Sequence, residues 1–397
     1  MHFDAPTPLL GGLSPATFMR RHWHKKPLLI RQAVPDMQPL LSRTALFELA
    51  AQADVESRLI VRQAAPAPRK GKGQAAAQAG DDWQLHRGPF KRQALPKLSA
   101  PDWTLLVQGV DLHHDGVRAL LEQFRFVGDA RLDDVMISYA SPGGGVGPHV
   151  DSYDVFLLQA SGRRRWRISH QQDLSLQAGK PLKILQHFEP EQEWVLEPGD
   201  MLYLPPQWAH DGVAESADCM TYSVGFRAPT DVELVQEILL RLGEFAADDE
   251  DRARRYADPK AQPAAEPAAL PPAMLDFAAK ALQRVAGDPQ LLARALGEVL
   301  TDLKPSVNFD GDAVSDLGWQ PGQGLALDRR TRMLHDHRHV FVNGEAFVVG
   351  GRDGRLLRRL ADTRHLGVRD AAALSEGAQA VMAEWLDMGW LHVRDTE

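Results

Sequence analysis

His149-Val150-Asp151 and the more distant His210 are the residues of this chain whose types and spacing could do chemistry. In extended backbone, residues two apart point the same way, so the His149 imidazole and the Asp151 carboxylate can converge on one point. Two imidazoles and a carboxylate on one face of a metal leave its other positions open, an arrangement suited to Fe(II) working on dioxygen. A His-x-Asp pair alone arises often by chance, and purely structural roles for all three residues are the plainer alternative.

The surrounding elements favour the metal. The pair follows a strand-like run, Met136 to Ala140, and a glycine-rich turn, Gly143-Gly144-Gly145-Val146-Gly147, where backbone can pass close to a bound group. His210 follows Pro198-Gly199-Asp200, a short apolar run and Pro205-Pro206, which predicts a rigid turn before a returning strand. Between them lies Gly162-Arg163-Arg164-Arg165-Trp166-Arg167-Ile168, a strand with cations on both faces. Alternation puts Arg164, Trp166 and Ile168 on the apolar, inward face and Arg163, Arg165 and Arg167 on the other, solvated or against a partner. An inward arginine is costly unless an anion meets it. If 2-oxoglutarate is the co-substrate, one carboxylate and its keto oxygen take two open metal positions and dioxygen the third. A guanidinium then grips the far carboxylate in bidentate fashion.

At 397 residues the chain exceeds one comfortable core. A formal net charge of -8 argues against a general nucleic-acid binder without excluding a local basic patch. The single cysteine, Cys219, excludes internal disulfides and thiolate-rich metal sites, and its expected place is the core. Met1 to Gly12 lacks the pattern of a secretory signal, and no apolar run reaches the ~18 residues of a membrane span; a cytoplasmic protein is expected.

Short strands separated by turn signals, from Asp134–Tyr139 to Met220–Phe226, predict a sandwich or barrel. The alanine-rich, basic stretch Ala64 to Gly80, carrying Arg69, Lys70 and Lys72, reads as a floppy insertion between two strands. After Pro229 the pattern turns helical: Asp231–Ala246, then a Pro/Ala linker, then Ala273–Val285 and Pro289–Leu303. The apolar stripe of that segment needs a cover, and a second copy of the chain is a candidate. From about Gly311, strands, an Asn343-Gly344 hairpin turn and the helix Ala378–Met388 suggest a small winged-helix-like module. The usual link of such modules to nucleic acid is analogy only. His335, His337 and His339 alternate along a possible strand and read as exposed wing histidines rather than metal ligands.

With these residues assembled, the chain resembles the JmjC-type 2-oxoglutarate oxygenases, and among them the bacterial ribosomal oxygenases, cupin-like arginyl hydroxylases of a large-subunit ribosomal protein. The resemblance is carried by Arg21-His22-Trp23-His24-Lys25-Lys26-Pro27, Ser141 to Asp151 with Tyr153-Asp154-Val155-Phe156, Gly162 to Arg167, Leu196 to Asp200, and Tyr222 to Pro229. It implies an α+β fold with a double-stranded β-helix core (residues 1–229), a helical dimerisation segment (230–310) and a C-terminal winged-helix-like module (311–397). It implies His149, Asp151 and His210 as iron ligands, Arg164 as the co-substrate arginine and Ser138 as a hydroxyl contact to the co-substrate. The implied partners are a ribosomal protein and a second copy of the chain. Rival readings are a metal-binding cupin without oxygenase activity, a histidine hydroxylase or demethylase of another protein, and a ribosome-associated binding module.

Overall fold

The computed structural model describes residues 3–63, 82–248, 253–309 and 323–394. The insertion Ala64–Gly80 with its basic cluster lies outside the described residues, as does most of the acidic run Asp248–Asp251. Two compact units divide the chain, Met1–Ala228 and Pro229–Glu397.

The first unit contains α1 (Pro15–Arg21), β1 (Leu28–Ile30), α2 (Arg43–Leu49), β2 (Ser57–Gln63), β3 (Asp82–Arg87), β4 (Trp103–Val107), α3 (Asp115–Glu122), β5 (Leu132–Ala140), β6 (Val155–Ser161), β7 (Arg164–Ser169), β8 (Gln192–Leu196), β9 (Met201–Leu204), β10 (Ala209–Ala214) and β11 (Cys219–Phe226). The predicted start of α1 is realised by its cap: the Ser14 hydroxyl accepts from the Thr17 N–H, and Pro15 occupies the first turn.

Eight strands pair in the order β1-β9-β6-β11-β5-β4-β2-β3, and three more in the order β10-β7-β8. Both sheets are antiparallel, and period-two burial sorts their side chains. On the outer face of the large sheet, Phe156, Tyr203, Tyr222 and Tyr139 join Phe18, Trp23 and Phe47 in one apolar cluster. On its inner face, Val155, Leu157, Leu202 and Leu204 meet Trp166, Ile168 and Leu196 of the small sheet. A second inner cluster gathers Ile60, Trp83, Leu106 and Ile184. Strand parity places Ser138, Gln159 and Thr221, all buried, on this same inner face. The sheets thus enclose apolar ends and a polar middle, the architecture of a double-stranded β-helix.

The second unit opens with three helices, α4 (Asp231–Asp248), α5 (Pro272–Ala286) and α6 (Pro289–Thr301). It continues with β12 (Gly324–Leu327), β13 (Met333–His335), β14 (His339–Val342), β15 (Glu345–Val348), α7 (Gly351–Thr363), β16 (His365–Leu366), α8 (Val368–Ala372), α9 (Glu376–Asp387) and β17 (Leu391–Arg394). Asn343 and Gly344 carry φ values of 50° and 90°, the positive pair that a tight two-residue hairpin demands. The three histidines do not share one strand: a turn separates β13 from β14, and His339 is buried while His335 and His337 are exposed. No helix among the described residues is long and apolar enough to cross a membrane.

Asp328, just past β12, ties that strand to β17. Its carboxylate, 2% exposed, accepts from Arg330 Nε at 2.8 Å and pairs with His392 of β17. Burial would raise its pKa, but the hydrogen bonds from His392 and Arg330 outweigh burial and hold it well below the usual carboxylate range. A depressed folded pKa adds stability above the unfolded value of about 3.9, and that stability fades as pH falls below it. Asp328→Asn should therefore lower stability at pH 7 by roughly 2 kcal/mol, with the gap to wild type shrinking below about pH 4. Thermal unfolding of the intact chain at both pH values checks this; equal melting at pH 7 would contradict it.

Candidate metal centre

The chain leaves β5 at Ala140 and turns back through glycines that the neighbouring backbone requires. A Cβ on Gly144 would sit 2.3 Å from the Trp103 carbonyl oxygen, and one on Gly145 would sit 2.6 Å from that of Gly212. Past this turn the backbone runs extended beside β10. His149 N–H donates to the His210 carbonyl at 3.0 Å, and His210 N–H returns the bond to His149 at 2.9 Å. The two histidines are thus a directly opposed antiparallel pair, with ring centroids 4.2 Å apart. Two residues on, the Asp151 carbonyl accepts from the Gln207 N–H at 2.9 Å, so the turn before β10 holds the third residue as well.

Hydrogen bonding fixes which nitrogens point inward. His149 Nδ1 lies 2.9 Å from the Gly147 carbonyl, and His210 Nδ1 lies 2.9 Å from that of Trp208. A carbonyl only accepts, so each Nδ1 carries the hydrogen and each Nε2 keeps its lone pair. Those Nε2 atoms face Asp151, at 3.9 Å from His149 and 3.6 Å from His210. One donor atom from each of the three residues lies within 4.8 Å of the others. Burial and the neighbouring His149 pull the His210 pKa down to about 4, which keeps that imidazole neutral and its lone pair available at neutral pH. Two nitrogens and one oxygen, backed by carbonyls that orient the rings, suit a divalent first-row metal such as iron.

Arg164 enters the same interior from β7. Burial along β7 alternates as expected, with Arg164 and Trp166 buried, Arg165 exposed and Arg167 half-buried. Arg163 is exposed as expected, whereas Arg165 pairs with Glu215 and Arg167 with Asp211, so two of the three outward cations find acids within the unit. Arg164, 3% exposed, has no such acid: its Nε and Nη2 are buried without a hydrogen-bond partner among the described residues. A buried guanidinium with idle donors is the cradle that an anion would fill. Ser138, on the inner face of β5, donates its hydroxyl in one long bond of 3.4 Å to the Thr221 carbonyl.

One supporting network escaped the sequence reading. Asp154, fully buried, accepts from the Tyr203 hydroxyl at 2.6 Å and lies 3.0 Å from His24 Nε2. It fastens the segment after α1 to the strand that follows Asp151, and burial raises its pKa. No local spacing signals it, because its partners His24 and Tyr203 are distant in sequence.

Comparison with known proteins places these features. Residues 119–234 match the JmjC domain model, and residues 282–392 match the ROXA-like winged helix model. The Escherichia coli (strain K12) ribosomal protein uL16 3-hydroxylase is 33% identical over 83% of this chain and 84% of its own length. A probable ribosomal oxygenase of Haemophilus influenzae is 30% identical over 95% of this chain and 96% of its own. The X-ray structure of E. coli YcfD superposes with a TM-score of 0.80 at 30% identity, covering 96% of this chain and 98% of that one. The YcfD ribosomal oxygenase solved with cobalt and 2-oxoglutarate gives a TM-score of 0.74 at 30% identity, over 96% of this chain and 99% of that one. By fold, domain content and similarity along its length, the chain belongs to the JmjC-domain ribosomal oxygenases.

Proposed function

We propose that this protein is an Fe(II)- and 2-oxoglutarate-dependent oxygenase that hydroxylates an arginine side chain of a large-subunit ribosomal protein. One observation carries the reading: two histidine lone pairs and a carboxylate converge in an interior that also holds a buried guanidinium with no acid to meet it among the described residues. In this reading His149, Asp151 and His210 hold the iron, Arg164 grips the far carboxylate of 2-oxoglutarate, and the Ser138 hydroxyl contacts the co-substrate. Iron bound there would supply the redox chemistry by which dioxygen gives one oxygen atom to the co-substrate, which loses carbon dioxide and becomes succinate, and the other to a C–H bond of the target, which becomes the alcohol. The chain's own residues orient and exclude. Carbonyls of Gly147 and Trp208 lock both rings, and the apolar inner cluster around Leu157, Leu202 and Leu204 keeps water from that end of the barrel.

The target class rests on the relatives, among them the uL16 3-hydroxylase; arginine as the modified residue rests on the family resemblance. A ribosomal substrate would place the protein in the cytoplasm. We further assign residues 1–229 to catalysis, 230–310 to a helical dimerisation segment and 311–397 to the winged-helix-like module. The dimer reading is supported by α4 and α5, which leave Val232, Val235 and Leu239 and, on α5, Met274, Leu275 and Leu282 exposed. An apolar surface of this kind favours burial against a like surface.

With iron, 2-oxoglutarate and ribosomal large-subunit proteins, the wild-type chain should yield succinate and a target peptide heavier by one oxygen atom on arginine. Asp151→Ala should abolish both products by removing a metal ligand; unchanged turnover in that variant would overturn the site, and the added oxygen on histidine would overturn the target. Light scattering should give twice the chain mass for wild type and the single-chain mass for a Leu239→Glu, Leu275→Glu double variant; a monomeric wild type would remove the dimer.

A further inference from the structure

We propose that Trp166 binds the co-substrate directly, its indole Nε1–H donating a hydrogen bond to the carboxylate that Arg164 grips. The inference rests on the 2-oxoglutarate reading above and adds a residue to it. Trp166 is 5% exposed, and its Nε1 is buried with no partner among the described residues. It shares the inner face of β7 with Arg164, whose Cζ lies 5.7 Å from the centre of its ring. The His210 ring lies 5.9 Å from it, and in the β7–β10 register Trp166 faces Gly212, between His210 opposite Ile168 and Ala214 opposite Arg164, so the indole lies on the way from the guanidinium to the metal-facing imidazole.

The ring is also fixed in place. Trp166 pairs across strands with Gly212, where a Cβ would fall 2.6 Å from two carbons of the indole. Only a bare Cα leaves room, so the ring lies against β10 and its N–H cannot turn away to another acceptor. Trp103 shows what a merely structural indole looks like. Its Nε1 is likewise buried and without a partner among the described residues, but its ring neighbours are Phe47 and Tyr139 in the outer apolar cluster, away from the inner face that carries Arg164. Trp166 instead adds a third idle donor nitrogen to the two of Arg164. Three donors facing no protein acceptor match a carboxylate, whose two oxygens offer about four lone-pair sites.

The test uses the full chain loaded with Zn(II) in place of iron and titrated with 2-oxoglutarate, which reads binding without turnover. Trp166→Phe keeps an aromatic ring over Gly212 and removes the N–H. The variant should bind 2-oxoglutarate roughly ten-fold more weakly than wild type. In protein labelled with nitrogen-15 tryptophan, one of the nine indole N–H resonances should shift strongly on binding and be missing from the variant. Wild-type affinity in Trp166→Phe overturns the inference while leaving the co-substrate reading intact. A wild-type chain that does not bind 2-oxoglutarate overturns both. Should the variant fail to fold, the wild-type titration decides: binding that moves no indole resonance overturns the assignment.

Discussion

A reciprocal pair of backbone hydrogen bonds between His149 and His210 is the constraint on which the rest of the site depends. It ties the end of the glycine-rich turn to the first residues of β10, and so sets the spacing of both imidazoles. Everything nearby serves that pairing. Gly144 and Gly145 let the turn pass against other backbone, Gln207 holds Asp151, and the carbonyls of Gly147 and Trp208 leave each Nε2 facing the carboxylate. A site prepared in this way spends little of its binding energy on rearrangement.

Arg164 is the converse case, a group that the protein leaves unsatisfied. Burying a charged group costs several kcal/mol after relaxation, and the neighbouring arginines of β7 offset that burden with acids. Arg164 keeps idle donors instead, on the face that also carries Trp166 and opposite the strand that carries Ser138. The polar strip of Ser138, Gln159 and Thr221 runs between two apolar clusters of the barrel. Such a lining orients an anion while excluding bulk water.

Much of this was legible in the sequence because period-two alternation is strict in a sheet with two distinct faces. Parity alone sent Arg164, Trp166 and Ile168 inward, and the glycine turn and Pro205-Pro206 marked where two loops would converge. Other features lay beyond local pattern. The Asp154–His24–Tyr203 network joins residues far apart in the chain, and no spacing rule reveals it. Helix α7 is hidden in the sequence, since glycines at 351 and 354 mask the apolar spacing of Leu356, Leu357, Leu360 and Ala361. The His335, His337 and His339 alternation suggested one strand, but Asp336 accepts from the N–H groups of Arg338 and His339 and closes a turn there.

The account stands or falls on where a metal and a dicarboxylate sit in this chain. A crystal structure grown with Mn(II) and 2-oxoglutarate measures that directly. The account predicts one ion bound by Nε2 of His149, a carboxylate oxygen of Asp151 and Nε2 of His210, with the far carboxylate of 2-oxoglutarate on the Arg164 guanidinium. An ion held by other residues, or a 2-oxoglutarate that leaves Arg164 untouched, would contradict it.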